Sequence, residues 1–447
     1  MATARTVIAT RRLLLTLAFS LVACAHESTP RAPIPPPAAD STAPYRGSRK
    51  SIDANEARRR EAIRQRLEAL AHDSIAFWKR HGVDAQRGGF HATLDRTGQP
   101  AAPFEKGLIQ QARHLWTFST WYARREPSPE IRAIADAQFR FLTNHFHDAR
   151  DGEFFFKVSA EGKVVDRKKP LYAQSFAIYA LAQYAQVFAS DEARNLALTC
   201  FRSIDRRAHD PVHQGYDQTE DPFYFTPGTQ KQTNTHIHLM EAFTTLYRLT
   251  QDPLVRDRLA ELAEVTARRI VRPDGYARQE FKRDFTPFGI TEVSYGHDIE
   301  TAWLLFDAFD ALGWSEKTEL HEIAYRLGRS ALASGYDARH GGLFEAGEPS
   351  TEPSKLDKVW WIQAETLPGL VRLYAMRPEP SDLTRLEQTL SFIEDHLHDK
   401  EYGEWYWSRL ADGSASTHPP NKGEEWKASY HSVRGLVFAS DWLKALR

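Results

Sequence analysis

From residue 51 onward the chain alternates between two kinds of apolar pattern. Segments near 55–80, 128–146, 190–208, 253–271, 317–334 and 380–397 place apolar residues every three or four positions among many charges, the signature of a helix with one buried face. Each is followed by a segment that is apolar and aromatic nearly all round, beginning near Lys106, Leu171, Thr233, Ser294, Lys358 and Trp426. A helix covered on both sides has that composition. Short pieces with strand and turn chemistry, such as 90–98 and 154–162, lie between the two kinds. An Asp-x3-Gly turn marks the transition at 84–88, 148–152, 337–341 and 399–403, with Asp210/Gly215 and Asp274/Gly275 as looser versions. Successive turn aspartates stand 64, 62, 64, 63 and 62 residues apart, a period that chance recurrence would not hold.

Six such units give twelve helices in six outer-inner pairs, and the pattern predicts an all-α (α/α)6 barrel with short β-like loops at its active-site end. An open solenoid is the alternative, and it calls for more polar caps at its two ends. In the barrel, the starts of the inner helices and the β-like loops surround one cavity.

Polar residues occur where a core helix should have none. Measured from each unit's Asp, Arg113 falls at 29, Gln174 at 26, His238 at 28, His297 at 23, Gln363 at 26 and His431 at 32. These similar offsets predict convergence at one end of the barrel, and unpaired burial costs enough to make a wet, functional cavity the better explanation. His238 precedes Glu241 and His297 precedes Glu300 by three residues, a spacing that sets a carboxylate beside an imidazole. Such a carboxylate fixes the ring tautomer for proton transfer. His236 lies in the same segment. There is no H-E-x-x-H and no Cys cluster, so no metal site is expected. No phosphate-binding Gly-rich loop in the right context appears. Among the tryptophans, Trp361, Trp405 and Trp426 have polar neighbours and suit stacking on sugar rings.

Charge and composition narrow the partners. With 58 Lys+Arg against 59 Asp+Glu in 447 residues, the chain lacks the basic excess of a nucleic-acid binder. Two cysteines exclude a disulfide framework. Residues 1–23 read as a lipoprotein signal peptide: Arg5, Arg11 and Arg12, then a largely apolar run at 13–23 too short to span a bilayer, then Cys24. Cys24 is the expected lipidation site and residues 24–50 a Pro-rich tether. Residues 51–447 are then one catalytic body, expected to be monomeric, lipid-anchored at Cys24 and facing the periplasm or the cell exterior.

Residues 107–119, 172–181, 234–247, 294–304, 360–365, 403–405 and 426–434 resemble the N-acylglucosamine 2-epimerase superfamily, and within it the cellobiose 2-epimerases; SYGHDIE and WWIQAE are the most specific of these stretches. The resemblance implies the same barrel and reversible epimerisation at carbon 2 of the reducing-end sugar of a β-1,4-linked disaccharide, without cofactor or metal. It implies acid/base roles for His297 and His431, assistance in ring opening from His238, and oxygen binding by Arg113 and Tyr172. Asn234, Glu241, Glu300, Trp360, Trp361, Glu365, Trp405 and Trp426 are the further expected substrate-lining residues. Two departures bear on the far sugar: a connection at 216–232 shorter than is typical, and Ala428-Ser429 in place of Gly-Pro or Cys-Pro. A mannose isomerase outcome uses much the same residues. A glycoside hydrolase would need a carboxylate pair from Glu105, Asp298, Glu365, Glu404, Glu424 and Glu425, and a sugar-binding lipoprotein would not need three histidines.

Overall fold

The computed structural model describes residues 54–218, 230–349 and 351–446; the expected signal peptide, Cys24 and tether lie outside them. Along the chain run α1 (Ala54–Phe77), α2 (Leu108–Arg124), α3 (Pro129–His145), α4 (Leu171–Phe188), α5 (Asp191–Ala208) and α6 (Thr233–Thr250). There follow α7 (Pro253–Val265), α8 (Tyr295–Leu312), α9 (Thr318–Gly335), α10 (Trp360–Met376), α11 (Pro380–Phe392) and α12 (Tyr430–Ala445). The outer helices α1, α7 and α11 each continue into one π turn, at Trp78–Gly82, Thr266–Ile270 and Ile393–Leu397. No described helix is long and apolar enough to cross a membrane.

The even-numbered helices are the inner layer. α8 buries fourteen of its eighteen residues, whereas the outer helix α5 buries seven of eighteen. Each inner helix packs on the next, and α12 returns to α2; α1 meets both α11 and α12. The ring is therefore closed, which excludes the open solenoid. Large side chains fill the layers, with Trp78, Trp116, Trp121 and Trp303 almost fully buried; losing any one to Ala would cost about 3–5 kcal/mol.

Local chemistry explains the boundaries. Ser128, Ser190, Asp252 and Ser294 cap α3, α5, α7 and α8, and Pro129, Pro253 and Pro380 begin their helices. α12 starts four residues later than the pattern predicts, because Glu424 and Lys427 exchange backbone hydrogen bonds of 3.1 and 3.0 Å in a tight turn ahead of it.

The periodic turn is also explained. Gly88, Gly152, Gly341 and Gly403 adopt φ of 78–82°, and their N–H groups donate to the turn Asp carbonyls at 2.7–2.9 Å. Short antiparallel pairs then link neighbouring units: Lys106–Gly107 with Lys157–Val158, Gln230–Gln232 with Glu280–Lys282, Val293–Ser294 with Ala346–Gly347, and Lys358–Val359 with Ser408–Arg409. A bridge from Leu94 to Gly423 joins the last unit to the first.

Candidate active site

Each inner-helix segment carries one polar side chain that clamps the β-like segment before it. Gln111 accepts from the Phe90 N–H at 2.9 Å and donates to its carbonyl at 3.0 Å. Gln174 does the same to Phe154 and Gln363 to Leu343. His236 Nε2 accepts from Tyr216 N at 3.1 Å, Asp298 Oδ1 from Ala277 N at 3.2 Å, and Lys427 donates to Trp405 O at 2.7 Å. Five residues before each clamp, a buried Lys (106, 169, 231, 358 and 422) reaches the turn Asp at 2.7–3.0 Å; in the fourth unit Val293 takes that place. Gln174 and Gln363 are therefore framework groups and not the cavity groups their offsets suggested. His236 is a satisfied core histidine, its Nδ1–H donating to Gln232 O at 2.8 Å.

The clamps give the register that Asp offsets could not. Two residues past them stand Arg113, Phe176, His238, Glu300 and Glu365, whereas His297 lies one residue before its clamp. Glu300 thus matches His238 in position and does not pair with His297, whose buried Nδ1 has no hydrogen-bond partner among the described residues. Instead Glu300, Glu241 and Glu365, from three successive inner helices, converge on Arg434 of α12, which is wholly buried. Arg434 Nη2 lies 2.5 Å from Glu300 Oε1 and 2.7 Å from Glu365 Oε1, and Nη1 bonds Glu241.

Two of these carboxylates hold histidines. Glu241 Oε2 accepts from His238 Nδ1 at 2.9 Å and its other oxygen from Tyr430 Oη at 2.6 Å. Glu365 Oε1 accepts from His431 Nδ1 at 2.7 Å, and Oε2 from Trp303 Nε1 at 3.1 Å. The hydrogen-bond network therefore assigns the Nδ1–H tautomer to both rings and leaves each Nε2 lone pair for chemistry. The i, i+3 expectation holds for His238–Glu241, fails for His297–Glu300, and misses the long-range pair His431–Glu365.

Electrostatics follow from this packing. Burial lowers His297 to about 4, with a contribution from His238. Burial also takes His431 well below its usual range, and the charges of Arg113, Arg434, His238 and His297 act in the same direction. Both rings are neutral at pH 7, the form a general base requires. Burial would raise Glu241, but Arg434 and the His238 and Tyr430 hydrogen bonds hold it at about 2. Burial and mutual repulsion push Glu300 up to about 7; burial does the same to Glu365 against the pull of Arg434.

The remaining expected residues divide into two groups. Trp361 packs 4.8 Å from His297 and 5.8 Å from His431, centroid to centroid, so one indole touches both rings. Arg113 lies over the Phe176 ring at 4.3 Å and donates to Tyr172 Oη at 3.1 Å and to the Trp426 carbonyl at 2.8 Å. Asn234 is a further partner of the Tyr172 hydroxyl, and its own Oδ1 is buried without a partner among the described residues. Trp426 is 44% exposed, with its ring 6.4 Å from Tyr172. Trp360 packs against Trp407 at 4.2 Å and lies edge-on to His431 at 6.4 Å, and Trp405 is fully buried at the position equivalent to Phe90. Glu241 and Glu365 each orient a histidine, whereas Glu300 is paired with Arg434 and bonds no histidine among the described residues. Arg434, at the hub, is the functional residue that sequence reasoning missed.

Glu300, Glu365 and His431 bring three potential ligand atoms within 4.8 Å of one another. The Arg434 guanidinium already sits against both of those carboxylates, so this donor set does not fit a metal ion. Two of the carboxylates a hydrolase would need are already occupied. Asp298 and Glu404 are engaged in the framework, the latter by Ser74, Ser432 at 3.3 Å and Lys427 at 3.8 Å.

Residues 59–434 match the N-acylglucosamine 2-epimerase (GlcNAc 2-epimerase) family. The chain belongs to this family. It is accordingly an isomerase, a carbohydrate epimerase. It is 30% identical over 389 residues to the cellobiose 2-epimerase of Bacteroides fragilis, covering 84% of this chain and 98% of that one. It is 25% identical to the N-acylglucosamine 2-epimerase of Rattus norvegicus, over 86% of this chain and 92% of the relative. The solved structure of cellobiose 2-epimerase from Spirochaeta thermophila superposes with a TM-score of 0.79 at 31% identity, covering 88% of this chain and 99% of that one. These matches agree with the barrel built above.

Proposed function

We propose that the protein epimerises carbon 2 of the reducing-end sugar of β-1,4-linked disaccharides, of the cellobiose to glucosyl-mannose type, by two-histidine proton transfer. The observation that carries the reading is the pair of neutral rings, His297 and His431, set against one indole, Trp361. The hydrogen on carbon 2 of an open-chain aldose is weakly acidic, so its removal needs a base together with stabilisation of the enediolate. His431 Nε2, oriented from behind by Glu365, suits removal of the proton from one face of carbon 2 as the neutral base. His297, once it has taken up a proton from solvent, suits its delivery to the other face; the roles exchange in the reverse direction and solvent resets both rings. Inversion then follows without rotation of the intermediate. His238, oriented by Glu241, assists ring opening, and its Nε2 lone pair can take the proton of the anomeric hydroxyl. Arg113, Tyr172 and Asn234 bind the oxygens that gain charge, Arg113 as a fixed cation already aimed by Trp426 O and Tyr172. Trp361 and Trp426 supply apolar faces for the sugar rings. We also propose that the body acts from a lipid anchor at Cys24 on the outer side of the inner membrane or beyond it.

The test is proton NMR in heavy water with cellobiose, mannobiose, glucose, mannose and N-acetylglucosamine offered separately. Deuterated glucosyl-mannose from cellobiose supports the reading. Fructose from free mannose instead places the second protonation at carbon 1 and makes the protein an isomerase of monosaccharides. Absence of exchange with every sugar refutes the reading for these substrates.

A further inference from the structure

We propose that Asp298 is held as a neutral carboxylic acid and that in this form it is the positioning residue that seats His297. The first, second and fifth units define what a clamp must do. Their glutamines accept one N–H and donate to the carbonyl of the same residue, at 2.7–3.0 Å. In the fourth unit Asp298 Oδ1 accepts from Ala277 N at 3.2 Å, while Oδ2 is buried with no partner among the described residues. A carboxylate there is acceptor-only, whereas a proton on Oδ2 reproduces the acceptor-and-donor pair of the amide.

The neighbourhood offers nothing to hold a charge. The charged groups that act on Asp298 are Asp274 and Arg272 of the turn ahead of Ala277, which pair with each other. The nearby titratable Tyr295, on the same helix as Asp298, is a phenol raised by burial and brings no positive charge. The buried Lys of the other five units is Val293 here. Burial accordingly raises the Asp298 carboxyl well above the usual range. The shorter side chain is matched by a shorter unit: the clamp stands 24 residues past Asp274 (298 − 274), against 26 past Asp148 (174 − 148) and Asp337 (363 − 337).

The link to His297 is adjacency without alternatives. His238 and His431 are each oriented by a carboxylate, but His297 Nδ1 has no such partner. Its orientation comes from the first turn of α8, capped by Ser294 Oγ at 3.4 Å, and from Trp361. The Asp298 clamp pins that turn to the β-bridge at Ala277. With the Asp–Lys pair lost in this unit, more of the fixing falls to the clamp.

The test compares wild type, Asp298→Asn and Asp298→Ala. An acid whose folded-state value is raised binds its proton more tightly in the native state. Its stabilisation is therefore full below about pH 4, the unfolded value, and declines as pH rises toward the folded value. The Asp298→Asn amide keeps the neutral hydrogen-bond pattern with no proton to lose. Equal melting temperatures of wild type and Asp298→Asn near pH 4, with an advantage for Asp298→Asn that grows toward pH 8, are expected, together with an Asp298→Ala protein less stable throughout. Infrared difference spectra at pH 8 should show a protonated-carboxyl stretch in wild type that Asp298→Asn lacks. An Asp298→Asn protein as unstable as Asp298→Ala at pH 8, a melting difference that does not grow with pH, or absence of the infrared band overturns the proposal. The kinetic arm rests on the proposed epimerisation: kcat within about threefold of wild type for Asp298→Asn and at least about tenfold down for Asp298→Ala, with KM moving less. If no protein turns over sugar, that function fails while melting and infrared still decide the protonation of Asp298. If both variants keep wild-type kcat, the seating of His297 is overturned.

Discussion

Glu365 offers the sharpest separation of orientation from charge, because each of its oxygens has a fixed occupation. Oε1 accepts from His431 Nδ1 and Arg434 Nη2, both at 2.7 Å, and Oε2 accepts from Trp303 Nε1 at 3.1 Å. Glutamine must place one NH2 in this arrangement. Set toward His431 and Arg434, it would meet two donors; set toward Trp303, it meets one. The amide oxygen therefore stays on the His431 side, the imidazole keeps its tautomer, and the Trp303 N–H is left unpaired at a cost of about 1–3 kcal/mol in stability. Glu365→Gln is thus expected to lose the ionic support of His431 but not its aim, lowering kcat by about tenfold to a hundredfold, or roughly 1.4–2.7 kcal/mol. Glu365→Leu removes both, and the loss should reach the full value of a general base, about 10² to 10⁴. The assay is deuterium incorporation at carbon 2 under single-turnover conditions, with melting temperatures to confirm folding. Equal kcat for the Gln and Leu variants, or a Leu variant near wild type, would refute the assignment of Glu365 as the group that orients His431.

Arg434→Met should strand three buried carboxylates and destabilise the fold by about 3–5 kcal/mol, measured by denaturant unfolding; Glu241→Gln in that background should recover part of the loss. Because Glu300 and Glu365 are both raised to about 7, their contribution to stability is full below about pH 4.3 and declines as pH climbs to 7. A Glu300→Gln/Glu365→Gln protein should show a flatter melting profile between pH 5 and 7 than wild type. Trp361→Ala removes the surface shared by His297 and His431 and should lower kcat/KM by at least about tenfold, or 1.4 kcal/mol, with the larger part in kcat. Cys24→Ser should release the protein from the membrane fraction on detergent-free lysis, as read by fractionation and by loss of the acyl mass.

The architecture was legible because it is written as a period. Five Asp-to-Asp intervals and two contrasting apolar patterns were enough to place every outer helix within a few residues. The choice of ring over solenoid depended on α12 meeting α2, a contact between distant parts of the chain that no local pattern encodes. Within the site, His238–Glu241 was readable since both lie on one helix. His431–Glu365 was not, because its partners are 66 residues apart. The assignment of Gln174 and Gln363 to the cavity failed for a related reason. The clamp is Gln, Gln, His, Asp, Gln and Lys around the ring, a common task with no common residue type, so only its hydrogen bonds reveal the register. Arg434 did leave a sequence signal: an arginine three residues past His431, in a last helix otherwise rich in apolar residues.

The meeting of α1 with α12 has a consequence for the order of events in the life of the chain. Arg60 reaches the Leu446 carbonyl at 3.2 Å across 386 residues, and contacts of such separation form late, after the entropy of so long a loop has been overcome. The helix that shuts the ring also brings Tyr430, His431 and Arg434. A nascent chain still short of α12 can hold eleven of the twelve described helices and yet lack both His431, the second base of the proposed mechanism, and the hub of the carboxylates. On the proposed mechanism, turnover of sugar would then report closure of the ring by α12.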